Sequence, residues 1–296
     1  MNIVRFPGLG INLEISKIAF SIFGIDIYNY AFCIILGIVV ALFFCKISKD
    51  NYYIKFDAAL EIIIIALIVG IIGARLYFVI FNLEYYLKNP IQIINIRDGG
   101  LAIYGGLIAG GCVIFKRCKS YKIHPLDFLD YIVPFVALAQ SIGRWGNFFN
   151  IEAYGYETKS FLRMGITLTE GYKEVHPVFL YESLCTVIIF FILRNSQRKR
   201  KFRGQILFMY LAMYAGIRMF LEPLRTDSLM FFGFRISQVL SIVIFVFTSI
   251  TLLMKYTNLA ISKMYKLKKK KWRILSDEKH CKTCFFIDFA VVMWYF

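Results

Sequence analysis

The sequence predicts an all-α, polytopic membrane protein, and three observations carry that prediction. Seven apolar runs are each long enough to cross a bilayer. Hydrophobic residues make up 59% of the chain, whereas soluble domains run nearer half apolar. Lys and Arg outnumber Asp and Glu by 35 to 19, and the excess sits in short clusters between apolar runs, as the positive-inside rule expects. That distribution argues against nucleic acid as a partner. A soluble protein this apolar would expose large adhesive patches.

The runs cover 28–44, 57–81, 99–115, 125–149, 177–193, 204–224 and 236–254. Helices rising ~1.5 Å per residue cross ~30 Å of hydrocarbon over such lengths, the shorter ones only just. Only helices or closed barrels satisfy every backbone group in lipid. The runs are continuously apolar rather than alternating, so helices are expected over barrel strands.

Charge sets the expected topology. The first connection carries Lys46, Lys49 and Lys55, the third Lys116, Arg117, Lys119 and Lys122, and the fifth Arg194, Arg198, Lys199, Arg200, Lys201 and Arg203. The even connections are poorer in Lys and Arg. The odd loops and the C-terminus are therefore expected in the cytoplasm and the N-terminus outside. No cleaved signal peptide is read at the start. Residues 11–22 are expected as a short helix in the outer interface. The longest outer connection, about 150–176, is expected to form a small cap on a membrane domain of 1–254, with 255–296 a basic cytoplasmic tail. No internal repeat is seen, which counts against a transporter built from two related halves.

The seven cysteines make no disulfide framework, since Cys33, Cys45, Cys112, Cys118 and Cys185 lie in or beside spans or on the cytoplasmic side. His280, Cys281 and Cys284 contain one CxxC, and zinc needs four ligands. The reading is two free thiols and no metal. The apolar run 284–296 is too short to span.

Polar residues at membrane depth are costly, so the chemistry is sought there. The fourth run ends with Gln140, Ser141, Gly143, Arg144, Gly146, Asn147, Asn150 and Glu152. Arg144 and Asn147 share a helix face, and the flanking glycines admit backbone or lipid. The sixth run carries Tyr214, Arg218, Glu222 and Arg225 on one face. Arg218 and Glu222 are spaced to pair. An Arg–Glu lattice that only locks helices explains that pair but leaves Arg144 and Arg225 in need of anions. Planar guanidiniums bind phosphate oxygens bidentately and stay charged in low dielectric, and the natural phosphate at this depth is a phospholipid headgroup. The third run opens at Arg97 and Asp98 and holds six glycines between Gly99 and Gly111, which suits close packing or an irregular entry. Tyr104 sits just inside, where an interfacial anchor is the ordinary role of tyrosine.

These residues resemble a known family. The run Gly143-Arg144-Trp145-Gly146-Asn147-Phe148-Phe149-Asn150-Ile151-Glu152-Ala153-Tyr154-Gly155 closely resembles the signature of bacterial prolipoprotein diacylglyceryl transferases. Asp98-Gly99-Gly100 with Tyr104-Gly105-Gly106, His176-Pro177 with Leu180-Tyr181-Glu182, and Tyr214 with Arg218, Glu222 and Arg225 recur in the family's order. Tyr28 and Gly73-Ala74-Arg75-Leu76 also fit.

The resemblance implies a multi-pass enzyme of the bacterial plasma membrane, with its active site toward the outer leaflet. It would move the diacylglyceryl group of phosphatidylglycerol onto the lipobox cysteine thiol of prolipoproteins. A thioether forms and glycerol phosphate leaves. It places Arg144 and Arg218 at the lipid phosphate, makes Asn147, Asn150, Glu152 and Gly155 the signature shaping the site, and sets Tyr28 and Tyr214 nearby. Glu222 and Arg225 complete the lipid-binding set. The nucleophile comes with the substrate, so no Ser-His-Asp arrangement is needed, and no cofactor is called for. One position departs from the pattern: many members carry histidine where this chain has Tyr104. A phenol titrates near ~10 and imidazole near ~6.5, so Tyr104 is the poorer base. The alternative reading is a phospholipid or anion transporter using the same arginines.

Overall fold

The computed structural model describes residues 2–48, 52, 54–96, 99–168, 171–228 and 230–278. Arg97, Asp98, the CxxC of Cys281 and Cys284, and the apolar end lie outside the described residues. The chain divides into two compact units, Met1–Ser249 and Ile250–Phe296.

Helices dominate: α1 (Asn29–Ile47), α2 (Phe56–Phe81), α3 (Leu83–Lys88), α4 (Ile103–Ser120), α5 (Pro125–Asn150), α6 (Val178–Gln197), α7 (Gln205–Leu221) and α8 (Ile236–Glu278). Six of them are long and apolar enough to cross a membrane: α1, α2, α5, α6, α7 with its 3-10 extension to Leu224, and α8. The chain is a multi-pass membrane protein. The remaining expected span, 99–115, is helix α4, displaced toward the C-terminus. Its last turn carries Arg117 and Lys119, and it begins after Gly99 and Gly100.

The expectation of an all-α chain is corrected by eight short strands among the described residues: β1 (Asn2–Phe6), β2 (Ile11–Ile15), β3 (Ile18–Ile22), β4 (Ile25–Tyr28), β5 (Met164–Leu168), β6 (Gly171–Val175), β7 (Met230–Phe231) and β8 (Phe234–Arg235). They form a four-stranded sheet in the order β2-β1-β5-β6 and two separate hairpins, β3–β4 and β7–β8. Residues 11–22, expected as an interfacial helix, are strands β2 and β3. Ile11, Leu13 and Ile15 recur at period two, and β1 pairs antiparallel along the whole of β2; β-branched residues with a pairing partner favour the pleated form. The connection after α5 contains the β5–β6 hairpin, tied to β1 through Arg5 and Gly165. Val4, Phe6, Ile15, Met164, Ile166 and Val175 pack with Phe148 of α5 and Phe179 of α6, so the sheet has an apolar core continuous with the helix ends.

Helix α5 is the hub, packed against α1, α6 and α7. A Cβ on Gly146 would come within 2.7 Å of the Tyr30 ring, which fixes the start of α1 against the end of α5. At the other end of α5, Asp130 is fully buried. Its carboxylate accepts from the backbone N–H groups of Gly204 (2.7 Å) and Leu207 (2.9 Å) and from Arg200 Nη1 (3.0 Å). Gly204, at φ +85°, makes the turn into α7 that presents those N–H groups, a conformation that suits glycine.

Candidate active site

The site is assembled from three helices meeting at one carboxylate. Glu182 on α6 is 1% exposed. Arg144 Nη2, from α5, lies 2.6 Å from Glu182 Oε1. The Tyr214 hydroxyl, from α7, donates to the same oxygen at 2.8 Å and accepts from Arg144 Nη2 at 3.2 Å. Arg218, one turn further on α7, places Nη1 3.5 Å from Glu182 Oε2. Its Nη2 pairs with Glu222 Oε2, as the i, i+4 spacing predicts. Arg218 Nη1 is buried with no hydrogen-bond acceptor among the described residues; its link to Glu182 is an ion pair only.

Glu222 is likewise buried. Ser228 Oγ donates to Glu222 Oε1 at 3.0 Å, and Arg235 of β8 donates to the Glu222 carbonyl. Arg235 Nη2 also donates to the Tyr156 hydroxyl at 3.1 Å. The two arginines in need of anions both have one: Arg144 has Glu182, and Arg225 has Asp227 at 2.7 and 2.9 Å. The sequence reading missed these partners. Asp227 lies two residues away in a turn, and Glu182 lies on another helix. The Arg225 guanidinium holds the Asp227 carboxyl below the usual carboxylate range.

The signature run ends α5 and turns the chain across the site. Ile151 and Ala153 take positive φ. Asn150 Nδ2 donates to Glu152 Oε1 at 3.2 Å, so these two candidates pair with each other. Asn147 lies one turn from Arg144, and its carbonyl accepts from the Glu152 N–H at 3.1 Å. Gly155 bridges to Arg225 and donates its N–H to the His176 carbonyl at 2.9 Å. A Cβ there would sit 2.7 Å from His176 Cβ and 2.8 Å from the Leu224 carbonyl oxygen, so only glycine fits. His176 accepts or donates at Nδ1 with the Tyr181 hydroxyl at 3.3 Å, and burial pushes its imidazole below the ordinary value.

Tyr28 and Tyr104 stand apart. Tyr28 ends β4 and is 45% exposed; Tyr104 begins α4 and is 48% exposed. Neither joins the Arg144–Glu182–Arg218 network. Arg75 of α2 organises the entry to α4. Its Nε donates to the Ile93 carbonyl, Nη2 to Gln92, and Nη1 to Gly99 and Gly100, all within 2.5–2.9 Å. It is buried against the Tyr86 ring. Among the described residues no three His, Cys, Asp or Glu side chains group to hold a metal ion.

The family model of prolipoprotein diacylglyceryl transferase matches residues 17–254. The chain belongs to the prolipoprotein diacylglyceryl transferase family. Relatives agree over most of the chain. A phosphatidylglycerol–prolipoprotein diacylglyceryl transferase of Finegoldia magna is 45% identical over 89% of this chain and 99% of its own. Enzymes of the same name from Streptococcus sanguinis and Clostridium novyi are 44% and 42% identical, over 78% and 81% of this chain and 92% and 95% of theirs. The matched region holds every element of the three-helix network, Glu182 and Arg235 included.

Proposed function

We propose that the protein transfers the diacylglyceryl group of phosphatidylglycerol to the thiol of the lipobox cysteine of prolipoproteins. The sulfur attacks the glyceryl carbon that bears the phosphate ester. A C–S bond forms, the C–O bond breaks, and its electron pair leaves on the phosphate oxygen. Glycerol phosphate departs, and the thiol proton passes to water or to the departing phosphate, whose second pKa of ~6 makes it a competent acceptor.

The observation that carries this reading is the placement of Arg144 and Arg218 on opposite oxygens of Glu182, with Arg218 Nη1 short of an acceptor. A carboxylate between two guanidiniums occupies the geometry that a phosphate would take. As the C–O bond breaks, charge grows on the phosphate, and preorganised donors in low dielectric stabilise it. In this reading Arg144 and Arg218 hold the phosphate. Tyr214 keeps the Arg144 fork aligned. Asn147, Asn150, Glu152 and Gly155 shape the wall, Glu222 and Arg225 fix the end of α7, and Tyr28 and Tyr104 line the approach of the peptide.

The proposal extends to topology. Helix α4 crosses with the other six, giving seven spans, an external N-terminus and a cytoplasmic C-terminus in the bacterial plasma membrane. The basic connections after α1, α4 and α6 support that orientation. It sets Arg144 and the β1–β2–β5–β6 sheet at the outer leaflet, the side from which lipobox cysteines are presented. Residues 1–254 are the transferase domain and 255–296 a basic tail. The relatives named above are transferases, and the transport reading gains no support from them.

Purified protein mixed with phosphatidylglycerol and a lipobox peptide tests the activity. A mass gain of one diacylglyceryl group on the peptide supports transfer. An unmodified peptide, or lipid that only changes leaflet, overturns it.

A further inference from the structure

Two hairpins share an unusual tip. β3 and β4 are joined by Phe23-Gly24, and β7 and β8 by Phe232-Gly233. Both central residues have positive φ in each turn: +49° and +75° in the first, +48° and +79° in the second. Two-residue hairpin loops of this kind ordinarily place Asn or Asp before the glycine, because a bulky side chain at positive φ is strained. Here phenylalanine takes that position twice, and the rings are turned outward: Phe23 is 101% exposed and Phe232 86%. A strained, solvent-facing aromatic repeated at two unrelated points in the chain calls for a reason outside the turn itself.

Position supplies the reason. β4 ends at Tyr28 and α1 begins at Asn29; β8 ends at Arg235 and α8 begins at Ile236. Each hairpin therefore runs without a linker into a membrane-crossing helix. Both lie at the end of the bundle that carries the arginine network. The start of α1 packs at Gly146, two residues from Arg144, and Arg235 of β8 binds the Glu222 carbonyl. The neighbouring strand residues Ile18, Phe20, Ile22, Met230 and Phe234 are exposed as well. Their apolar surface continues that of the spans.

We propose that the Phe23 and Phe232 tips insert into the lipid at the border of headgroups and acyl chains, at the leaflet that faces the Arg144 network. Phenylalanine rings bury readily at the boundary of headgroups and acyl chains, and short two-stranded hairpins keep their outer backbone groups hydrated there. Asp26, hydrogen-bonded by Ser21, sets the depth, since its carboxylate stays among headgroups while the ring three residues earlier reaches the chains. The two tips pin the starts of α1 and α8 at that leaflet. The inference does not depend on the transfer reaction.

The test uses the full chain in vesicles of phosphatidylcholine and phosphatidylglycerol. Phe23→Trp and Phe232→Trp are made separately, and emission is measured as the difference from the parent protein, which has three tryptophans of its own. Lipid brominated near the headgroup end of its chains is expected to quench each added tryptophan roughly twofold or more, and more than lipid brominated near the chain ends. A thermal midpoint equal to the parent's confirms the fold of each variant. Quenching by aqueous iodide instead, or indifference to both agents, overturns the proposal.

Discussion

Arg144 and Arg218, on different helices, grip opposite oxygens of the same buried carboxylate, Glu182. The pair is held together by an anion that a substrate phosphate resembles. Breaking such a buried pair by removing one partner costs ~3–5 kcal/mol, because the charge left behind is uncompensated. Glu182→Gln is therefore expected to lower the thermal midpoint in detergent and to abolish transfer, as the two guanidiniums repel and splay apart. A Gln variant with parental stability and turnover would show that the network is not what aligns the arginines.

Arg144→Lys is expected to lose most activity although the charge is kept. An ammonium cannot reproduce a planar fork shared among Glu182, Tyr214 and a phosphate. Near-parental turnover by a well-folded lysine variant would remove Arg144 from phosphate binding.

Much of this site was legible in the sequence, and the rest was hidden for identifiable reasons. The i, i+4 spacing of Arg218 and Glu222 gave their pairing directly. Arg144 and Asn147 fell on one face of α5, whose observed start matches the expected one at Pro125. Glu182 could not be paired from sequence, because its partners lie 38 and 36 positions away on other helices. It was visible only as a lone acid inside an apolar run, beside Tyr181 in a family motif. Arg235, just before the run 236–254, is not singled out by the sequence, and its role appears only once β8 turns it back onto Glu222. The strands before Tyr28 were missed because a window holding Ile11, Leu13, Ile15, Ile18, Phe20 and Ile22 is apolar enough for an interfacial helix. The pairing of β2 with β1 and of β3 with β4 decided between the two.

Tyr104 is expected to matter modestly. It is half exposed and outside the arginine network, so Tyr104→Phe should lower turnover several-fold at most, and Tyr104→His should restore it. A near-complete loss in the Phe variant would contradict this assignment, and full activity in the Phe variant would leave only the packing of the ring.

His176 gives a pH signature of its own. Burial holds its folded pKa below the ordinary value of ~6.5. The unfolded chain therefore gains a proton that the folded one resists, and stability falls as pH drops below ~6.5. The thermal midpoint should decline into that acid range, and the decline should be smaller in His176→Gln. An identical slope in the variant would place the titrating group elsewhere.

Orientation has a direct check. Lys173 lies on β6 in the sheet next to the site. Lys173→Cys is expected to react with an impermeant maleimide in intact cells, over and above any labelling of the parent. Labelling only after lysis would reverse the topology.

The central claim is that the glyceryl C–O bond breaks and the phosphate departs under the two arginines. The most direct measurement places heavy oxygen in phosphatidylglycerol at the bridge between the diacylglyceryl carbon and phosphorus, then follows both products of the reaction with a lipobox peptide. The account predicts heavy oxygen wholly in the released glycerol phosphate, in equal amount to a peptide thioether that contains no phosphorus. Heavy oxygen retained on the lipidated peptide, or phosphorus carried to the sulfur, would contradict it.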